Sequence, residues 1–296
     1  MSGILYVVAT PLGNLEDITL RALRVLKEVD LIAAEDTRHS RKLLLHYGIQ
    51  TPLTSYYDQI EREKAPRLVE DLKHGKSIAL ISDAGTPGIN DPGYHLVRAA
   101  IDAGVRVEPI PGPSAVAAAL SVSGLPTDRF AFEGFVPAKS GQRRRFFEDL
   151  AQEPRTIIVY EAARRLDDCL RDLQEVLGDR DVVVARELTK MFEEVLRGRA
   201  GEIAAELRQR LGERELQGEI TLLIAGAKEP RPVAPAETLA VALERLRAEG
   251  MSLKEAARAL ARERGVSRRD VYQLGLENES HEDAPPAVES KSGADD

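Results

Sequence analysis

The sequence predicts an α/β protein: two α/β domains followed by a small helical C-terminal segment. Three observations lead there. Short apolar runs recur in the first half, several ended by Gly/Pro loops and each followed by a helix-period segment. This is the signature of strand–loop–helix units and a mostly parallel sheet. At 296 residues the chain is long enough for two domains. Finally, residues 236–276 are helical in pattern throughout, after a stretch holding three prolines that reads as a stiff linker.

Residues 4–9 (Ile-Leu-Tyr-Val-Val-Ala) form the first strand, and Thr10-Pro11-Leu12-Gly13-Asn14-Leu15 leaves it. A helix follows over about 17–27, with Leu20, Leu23 and Leu26 on one face. Residues 29–34 are the second strand, ended by Glu35-Asp36-Thr37-Arg38, and a helix spans roughly 39–47. A polar helix over about 58–74 leads into Ile78-Ala79-Leu80-Ile81, an apolar run that reads as a buried parallel strand. The loop Ser82 to Gly93 follows it, and a helix spans 94–103. Asp91 is placed to cap that helix, with Pro92 at its first position. Residues 105–110 are the next strand, ended by Pro111-Gly112-Pro113-Ser114, with a small-residue helix over 115–123.

The pattern changes near Pro137. A basic amphipathic helix covers 139–151, a strand 156–160, a helix 165–177, a strand 182–185 and a last strong strand 219–225. The expected divisions are 1–124, 125–229, 236–276 and an acidic tail over 277–296. The tail holds seven acids and one lysine, with no core-forming residues, and is expected to be disordered. The net charge of −8 is therefore mostly a tail effect, since 231–276 carry nine Lys/Arg against six acids.

Composition excludes several classes. Cys169 stands alone, so neither a disulfide framework nor a cysteine-rich zinc site is available. The five histidines show no metal-ligand spacing, and no metal is expected. No charged-then-apolar leader precedes Ile4 and no apolar run reaches the ~18 residues of a membrane span, so a cytoplasmic protein without a membrane partner is expected. Gly75-Lys76-Ser77 resembles the end of a phosphate loop, but Glu70 stands where its leading glycine belongs, and the segment precedes a strand. No G-x-G-x-x-G follows the first strand.

What remains are backbone-rich loops at strand ends, which converge if their strands are neighbours. Ligands bind outside the carboxyl ends of strands in open α/β sheets. Small residues such as Gly85 let a ligand approach the backbone closely. A site of this kind suits a molecule read through main-chain N–H and C=O groups plus apolar contact. An adenosine with a thioether-like tail fits, as do other small molecules.

Four motifs occur in the order and spacing of one family: Thr10-Pro11-Leu12-Gly13-Asn14-Leu15, Glu35-Asp36-Thr37-Arg38, Ser82-Asp83-Ala84-Gly85-Thr86-Pro87 and Pro111-Gly112-Pro113-Ser114. With Gly124-Leu125-Pro126, Phe132-Glu133-Gly134-Phe135, Tyr160-Glu161, Arg186 to Lys190 and Gly218-Glu219, residues 3–276 resemble the 16S ribosomal RNA (cytidine-2′-O)-methyltransferases of the tetrapyrrole methylase superfamily. The resemblance implies an S-adenosyl-L-methionine enzyme with the cofactor in a cleft between two α/β domains, acting as a homodimer on 16S rRNA or the small ribosomal subunit. It implies cofactor contacts at Pro11, at Ala84, Gly85, Thr86, Pro87 and Asn90, and at Ser114 and Ala115. Glu161 and Leu188 are the looser matches from the second domain. One departure stands out: Ser55-Tyr56-Tyr57-Asp58-Gln59-Ile60 occupies the place of the family's Ser-Tyr-His-Glu-His-Asn. A histidine-base mechanism therefore finds no support there.

A ribose hydroxyl is a weak nucleophile that must be positioned and relieved of its proton. Glu35 and Asp36 are the candidate bases, with Arg38 a candidate phosphate contact. The same residues read equally as a helix cap with an ion pair. Asp83 is either a loop-fixing acceptor or a catalytic group, and Lys190 either an RNA contact or a solvated lysine. In the C-terminal segment, Ser252 and Glu255 form a capping box. Gly265-Val266 then turns the chain, and Ser267 with Asp270 starts a helix bearing Arg268, Arg269 and Tyr272, a helix–turn–helix outline. Arg143, Arg144 and Arg145 make a second basic cluster, and either basic region suits RNA phosphates. Two alternatives remain: methylation of a tetrapyrrole-like small molecule, and a non-catalytic nucleic-acid-binding protein.

Overall fold

The apolar runs of the first half pair into one parallel sheet. In the computed structural model, which describes residues 2–211, 216–227, 239–264 and 266–282, its strands are β1 (Ile4–Val8), β2 (Leu31–Ala34), β3 (Leu53–Ser55), β4 (Ile78–Ile81) and β5 (Arg106–Ile110). They lie in the order β3-β2-β4-β1-β5, every pair parallel. The helices between them are α1 (Leu20–Glu28), α2 (Thr37–His46), α3 (Glu61–Lys73) and α4 (Tyr94–Asp102). Alternate residues of β4 serve opposite faces. Ile78 and Leu80 pack with Leu68, Leu72 and Leu96 of α3 and α4, whereas Ala79 and Ile81 pack with Leu26 and Leu44 of α1 and α2. Because β1 lies between β4 and β5, the three Gly/Pro loops leave neighbouring strand ends.

The second sheet has strands β6 (Phe130–Phe135), β7 (Thr156–Ala162), β8 (Asp181–Arg186), β9 (Glu194–Arg199) and β10 (Glu219–Ile224), in the order β6-β7-β10-β8-β9. Only β6 and β7 run parallel; the other pairs are antiparallel. One face carries α6 (Ser140–Asp149), α7 (Leu166–Leu177) and α8 (Ala200–Leu211). The other is covered by α5 (Ala115–Ser123), whose Val116, Ala119 and Leu120 meet Ile158, Val183 and Leu223. The small-residue helix that ends the first half thus caps the second sheet. Both sheets belong to one compact unit. β3, β6, β9 and α8 were not legible as elements. β3 is three residues long, β6 carries Gly134 at φ +70° with a register shift, and β9 holds only two apolar residues between charged ends and lies at an edge.

Two local expectations need correction. Arg143 is not part of an exposed basic cluster: it is 3% exposed. Its Nη2 and Nε lie 2.6 and 2.7 Å from Asp172 Oδ2. Arg144 pairs with Glu175 at 2.5 Å, which leaves Arg145 as the exposed arginine of the three without such a partner among the described residues. Helical periodicity turns Arg143 inward, where Asp172 of α7 faces it. Nor does Asp91 cap α4. The cap is Gly93, at φ +146°, which makes no side-chain cap bond, and its N–H donates instead to Glu61 Oε2 at 3.2 Å. Asp91 is thereby free to point elsewhere.

The C-terminal unit holds α9 (Leu239–Ala248), α10 (Leu253–Arg264) and α11 (Arg268–Glu282) around its own core of Ala242, Leu243, Ala256, Ala257, Leu260 and Val271. The capping box is formed: Glu255 N–H donates to Ser252 Oγ (3.4 Å) and Ser252 N–H to Glu255 Oε2 (3.1 Å). The backbone of α11 runs to Glu282, into the stretch expected to be disordered, because extending a nucleated helix needs only local hydrogen bonds. The Pro-rich linker and residues 283–296 lie outside the described residues.

Candidate functional site

The three loops are tied into one wall. Thr10 and Gly85 exchange backbone hydrogen bonds of 2.8 and 3.0 Å, a two-way bridge between the loops after β1 and β4. Thr10 Oγ1 donates to Ser82 O (3.1 Å), and Thr86 Oγ1 donates to Pro113 O (3.2 Å), which draws in the loop after β5. Gly85 can join because its φ is +77°, a conformation that costs glycine little. The loop after β2 is tied on as well. Asp83 N–H donates to Glu35 Oε2 at 3.2 Å, and Asp36 N–H to Asp83 Oδ1 at 3.0 Å.

Opposite this wall stand β7, β10 and the loop after β8, and between them lies a cavity of about 290 Å³. Its lining combines the loop residues Ala84, Gly85, Thr86, Ser114 and Ala115 with Phe135, Tyr160, Glu161, Leu188 and residues 218–221. Such a mixture of apolar side chains with a few polar groups suits a small ligand. Tyr160 stacks edge-on against Phe132 with ring centres 4.9 Å apart, and burial pushes its phenol up to about 12. It is therefore a neutral donor at physiological pH. Three non-glycine residues with positive φ, Asn90 (63°), Glu187 (50°) and Thr189 (65°), all lie on loops of this region. Backbone strain of that kind gathers at functional sites.

A second cavity, about 530 Å³, adjoins the first and shares Leu12, Ala84, Lys190 and Glu219 with it. Pro11, His39, Lys42 and Asp83 line it. Lys190 stands where the two meet. Its Nζ lies 2.8 Å from Glu187 Oε1 and 3.0 Å from Glu219 Oε2, and its stem crosses Gly13, leaving no room for a side chain there. Burial opposes its charge, but the two carboxylates hold its pKa above the ordinary lysine value.

Of the residues singled out from the sequence, Ala84, Gly85, Thr86, Ser114, Ala115, Glu161 and Leu188 line the smaller cavity and Pro11 the larger. Pro87 and Asn90 line neither; Asn90 Oδ1 packs against Gly134, where an added Cβ would lie 2.6 Å away. The Asp36 carboxylate caps α2, accepting from Arg38 N–H (2.8 Å), and it pairs with the Arg38 guanidinium at 3.0 Å. Those bonds from Arg38 lower its pKa to about 2. Glu35 is shifted upward by burial. Neither carboxylate lines either cavity, nor does the Arg38 side chain, which is 91% exposed. Sequence reasoning missed Asp91, Phe135, Tyr160 and residues 218–221 as lining. Phe135, Tyr160, Gly218 and Glu219 sit in recognised motifs, but nothing local shows that their strand ends meet these loops.

The loop backbone at Ala84, Gly85 and Ala115, the hydroxyls of Thr86 and Ser114 and the apolar Leu188 fit a nucleoside-type cofactor. Glu161, 1% exposed, has Oε1 on Arg165 (2.5 Å) and on Ala162 N–H (2.7 Å), with the Cys169 thiol nearby. Its Oε2 is buried and has no nitrogen or oxygen hydrogen-bond partner among the described residues.

Comparison with known proteins agrees with this geometry. The family described as Tetrapyrrole (Corrin/Porphyrin) Methylases matches residues 4–204, and the RsmI C-terminal HTH domain matches residues 233–279. Among solved structures, the methyltransferase CobJ superposes with TM-score 0.56 at 18% identity, covering 76% of this chain and 95% of that one. Uroporphyrin-III C-methyltransferase from Thermus thermophilus, complexed with S-adenosyl homocysteine, superposes with TM-score 0.51 at 22% identity, covering 75% and 97%. Fold and cleft thus define a methyltransferase of the tetrapyrrole methylase type. Ribosomal RNA small subunit methyltransferase I of Escherichia coli O157:H7 is 50% identical over 94% of this chain and 96% of its own length. Its namesake from Synechocystis is 50% identical over 94% and 99%. This chain belongs to that family.

Proposed function

We propose that this protein transfers a methyl group from S-adenosyl-L-methionine to the 2′-hydroxyl of a cytidine ribose in the 16S rRNA of the small ribosomal subunit. The observation that carries the reading is 50% identity, over nearly the whole chain, to a protein named for methylating small-subunit ribosomal RNA. The cleft supports it. Bound there, S-adenosyl-L-methionine supplies a methyl group activated by a sulfonium. Ala84, Gly85, Thr86, Ser114 and Ala115 present backbone and hydroxyl groups, and Glu161 and Leu188 line the cleft from the second sheet. Pro11 lines the adjoining cavity, which has room for the target nucleotide beside His39 and Lys42. Glu35, Asp36 and Arg38 then stand at the rim of the machinery, where Arg38 is exposed to meet RNA phosphate. The family reading also has the protein working as a homodimer in the cytoplasm; sedimentation at micromolar concentration tests the dimer. Among the described residues no helix is long and apolar enough to cross a membrane. A tetrapyrrole-like substrate and a non-catalytic role are disfavoured by the names of the relatives and by the C-terminal helical unit.

The test is transfer of a labelled methyl group to unmethylated small ribosomal subunits, with nuclease mapping of the label. Label recovered in an alkali-resistant dinucleotide supports ribose methylation. No transfer by a protein that binds the cofactor refutes it. The C-terminal unit makes a further expectation. Arg268, Arg269 and Tyr272 of α11 are exposed over a core of their own. Removing residues 236–296 is therefore expected to weaken subunit binding by at least about tenfold, with a steep salt dependence lost, while cofactor affinity stays within about threefold. Equal loss of both, measured by filter binding and calorimetry, refutes a dedicated RNA role.

A further inference from the structure

One carboxylate on the cleft wall has no cation to neutralise it. Three acidic residues line the smaller cavity: Asp91, Glu161 and Glu219. Glu161 is engaged by Arg165, and Glu219 by Lys190. Asp91 has no lysine, arginine or histidine partner among the described residues; Ser82, which lines the larger cavity, hydrogen-bonds to it, so Asp91 adjoins both cavities, and the charges it meets are other carboxylates. Glu35 faces it from the end of β2, Asp83 from the end of β4 and Asp58 from the segment before α3, with Tyr160 of β7 across the cleft. On the α3–α4 side, Glu61 is occupied by the Gly93 N–H and by His95 at 3.5 Å. The backbone aims the side chain: Asn90 turns at φ +63°, and Gly93 rather than Asp91 caps α4.

We propose that Asp91 accepts the proton of the attacking ribose hydroxyl. The inference rests on the reading of the cleft given under Proposed function and names the group that reading lacks. The ribose oxygen forms a bond to the methyl carbon as the carbon–sulfur bond breaks, and that bonding pair returns to sulfur as a neutral thioether. The hydroxyl proton passes to an Asp91 carboxylate oxygen and from there to solvent, so charge and atoms balance. Asp36 is less suited, since Arg38 and the start of α2 already occupy it. Burial first, and then the charge of Glu35, push the Asp91 carboxyl up to about 7. A base poised there is partly ionised at working pH and still basic enough to take a proton.

The test is Asp91→Asn in the full-length protein. Methyl transfer to small subunits is expected to slow by about 100-fold or more, with cofactor affinity within about threefold by calorimetry. The wild-type rate is expected to rise with pH through about 7, and the variant to lack that limb. A second readout needs no turnover. A carboxyl raised from 3.8 unfolded to about 7 folded keeps its proton longer in the native state, so wild-type stability falls as pH rises through that window. The melting temperature of the variant is therefore expected to gain on wild type between about pH 4 and 7 and to hold that gain above. A variant rate within tenfold of wild type, or a melting difference independent of pH, overturns the proposal. If wild type binds cofactor but labels no subunit, the substrate reading fails and takes this inference with it. If wild type is active and the variant equally so, only the role of Asp91 fails.

Discussion

Replacing Gly85 by valine is expected to abolish cofactor binding, raising the dissociation constant at least about 100-fold, or roughly 2.7 kcal/mol. Two physical effects combine. Gly85 holds φ at +77°, a region that a β-branched residue enters only under strain. Its N–H and C=O are both committed to Thr10, so relaxing that strain pulls apart the bridge between the first two loops. An added Cβ would lie 3.4 Å from Leu12 Cδ2 and 3.8 Å from Pro113 O, ordinary contacts that leave the fold standing. The branch methyls then fill the cleft wall where a ligand would meet the backbone. Gly48→Val is the control. Its φ is +62°, an added Cβ meets nothing within 4 Å, and it lines neither cavity. Calorimetry with S-adenosyl-L-methionine separates the two. Unchanged affinity in Gly85→Val, or equal loss in both variants, refutes the role assigned to Gly85.

The second large effect is on stability. Arg143→Ala is expected to cost about 3 kcal/mol, because it removes the close partner of the buried Asp172 and leaves only Arg144 Nη1, at 3.8 Å, to offset its charge. For a unit of this size that corresponds to a fall in Tm of roughly 10 °C. Asp172 also accepts from Ser140 Oγ at 3.0 Å, and Arg143 donates to Ala138 O at 3.3 Å, so the pair ties the start of α6 to α7. Removing both partners, as Arg143→Met with Asp172→Leu, is expected to cost much less than the single change, since no charge is left uncompensated. Subunit binding by Arg143→Ala below its melting temperature is expected to match wild type. A selective loss of RNA affinity with unchanged Tm would restore Arg143 to the RNA surface.

The contrast between these residues shows where a sequence is readable. Gly85 lies in a loop of three glycines and two prolines directly after an apolar strand, and each of those signals is local. Arg143 sits in a run of three arginines that reads as a solvated face. The acid that draws it inward lies 29 residues away on another helix. β6 and β9 escaped for a similar reason. A bulged strand with a positive-φ glycine and a charged edge strand lack the apolar run that marks a buried strand, and only pairing with β7 and β8 makes them strands. α5 was legible as a helix of small residues, but which sheet it covers was not.

Asp91 is the sharpest case. Beside Pro92 it has the local chemistry of a helix cap, and that reading is sound for the dipeptide. The protein instead lets Gly93 start α4 and leaves the Asp91 side chain among Glu35, Asp83 and Asp58. By itself the sequence determined the α/β class, the strand ends that carry Gly/Pro loops, most of the loop residues of the cleft and the capped C-terminal helices. All of these follow from short-range backbone preferences and from the periodicity of apolar residues. The tertiary structure alone decided that α5 covers the second sheet, that Arg143 is buried, that Lys190 stands between two cavities and that Asp91 faces the cleft without a cation. Those outcomes depend on charges and surfaces brought together from distant parts of the chain, and electrostatic environment is a property of the assembled neighbours.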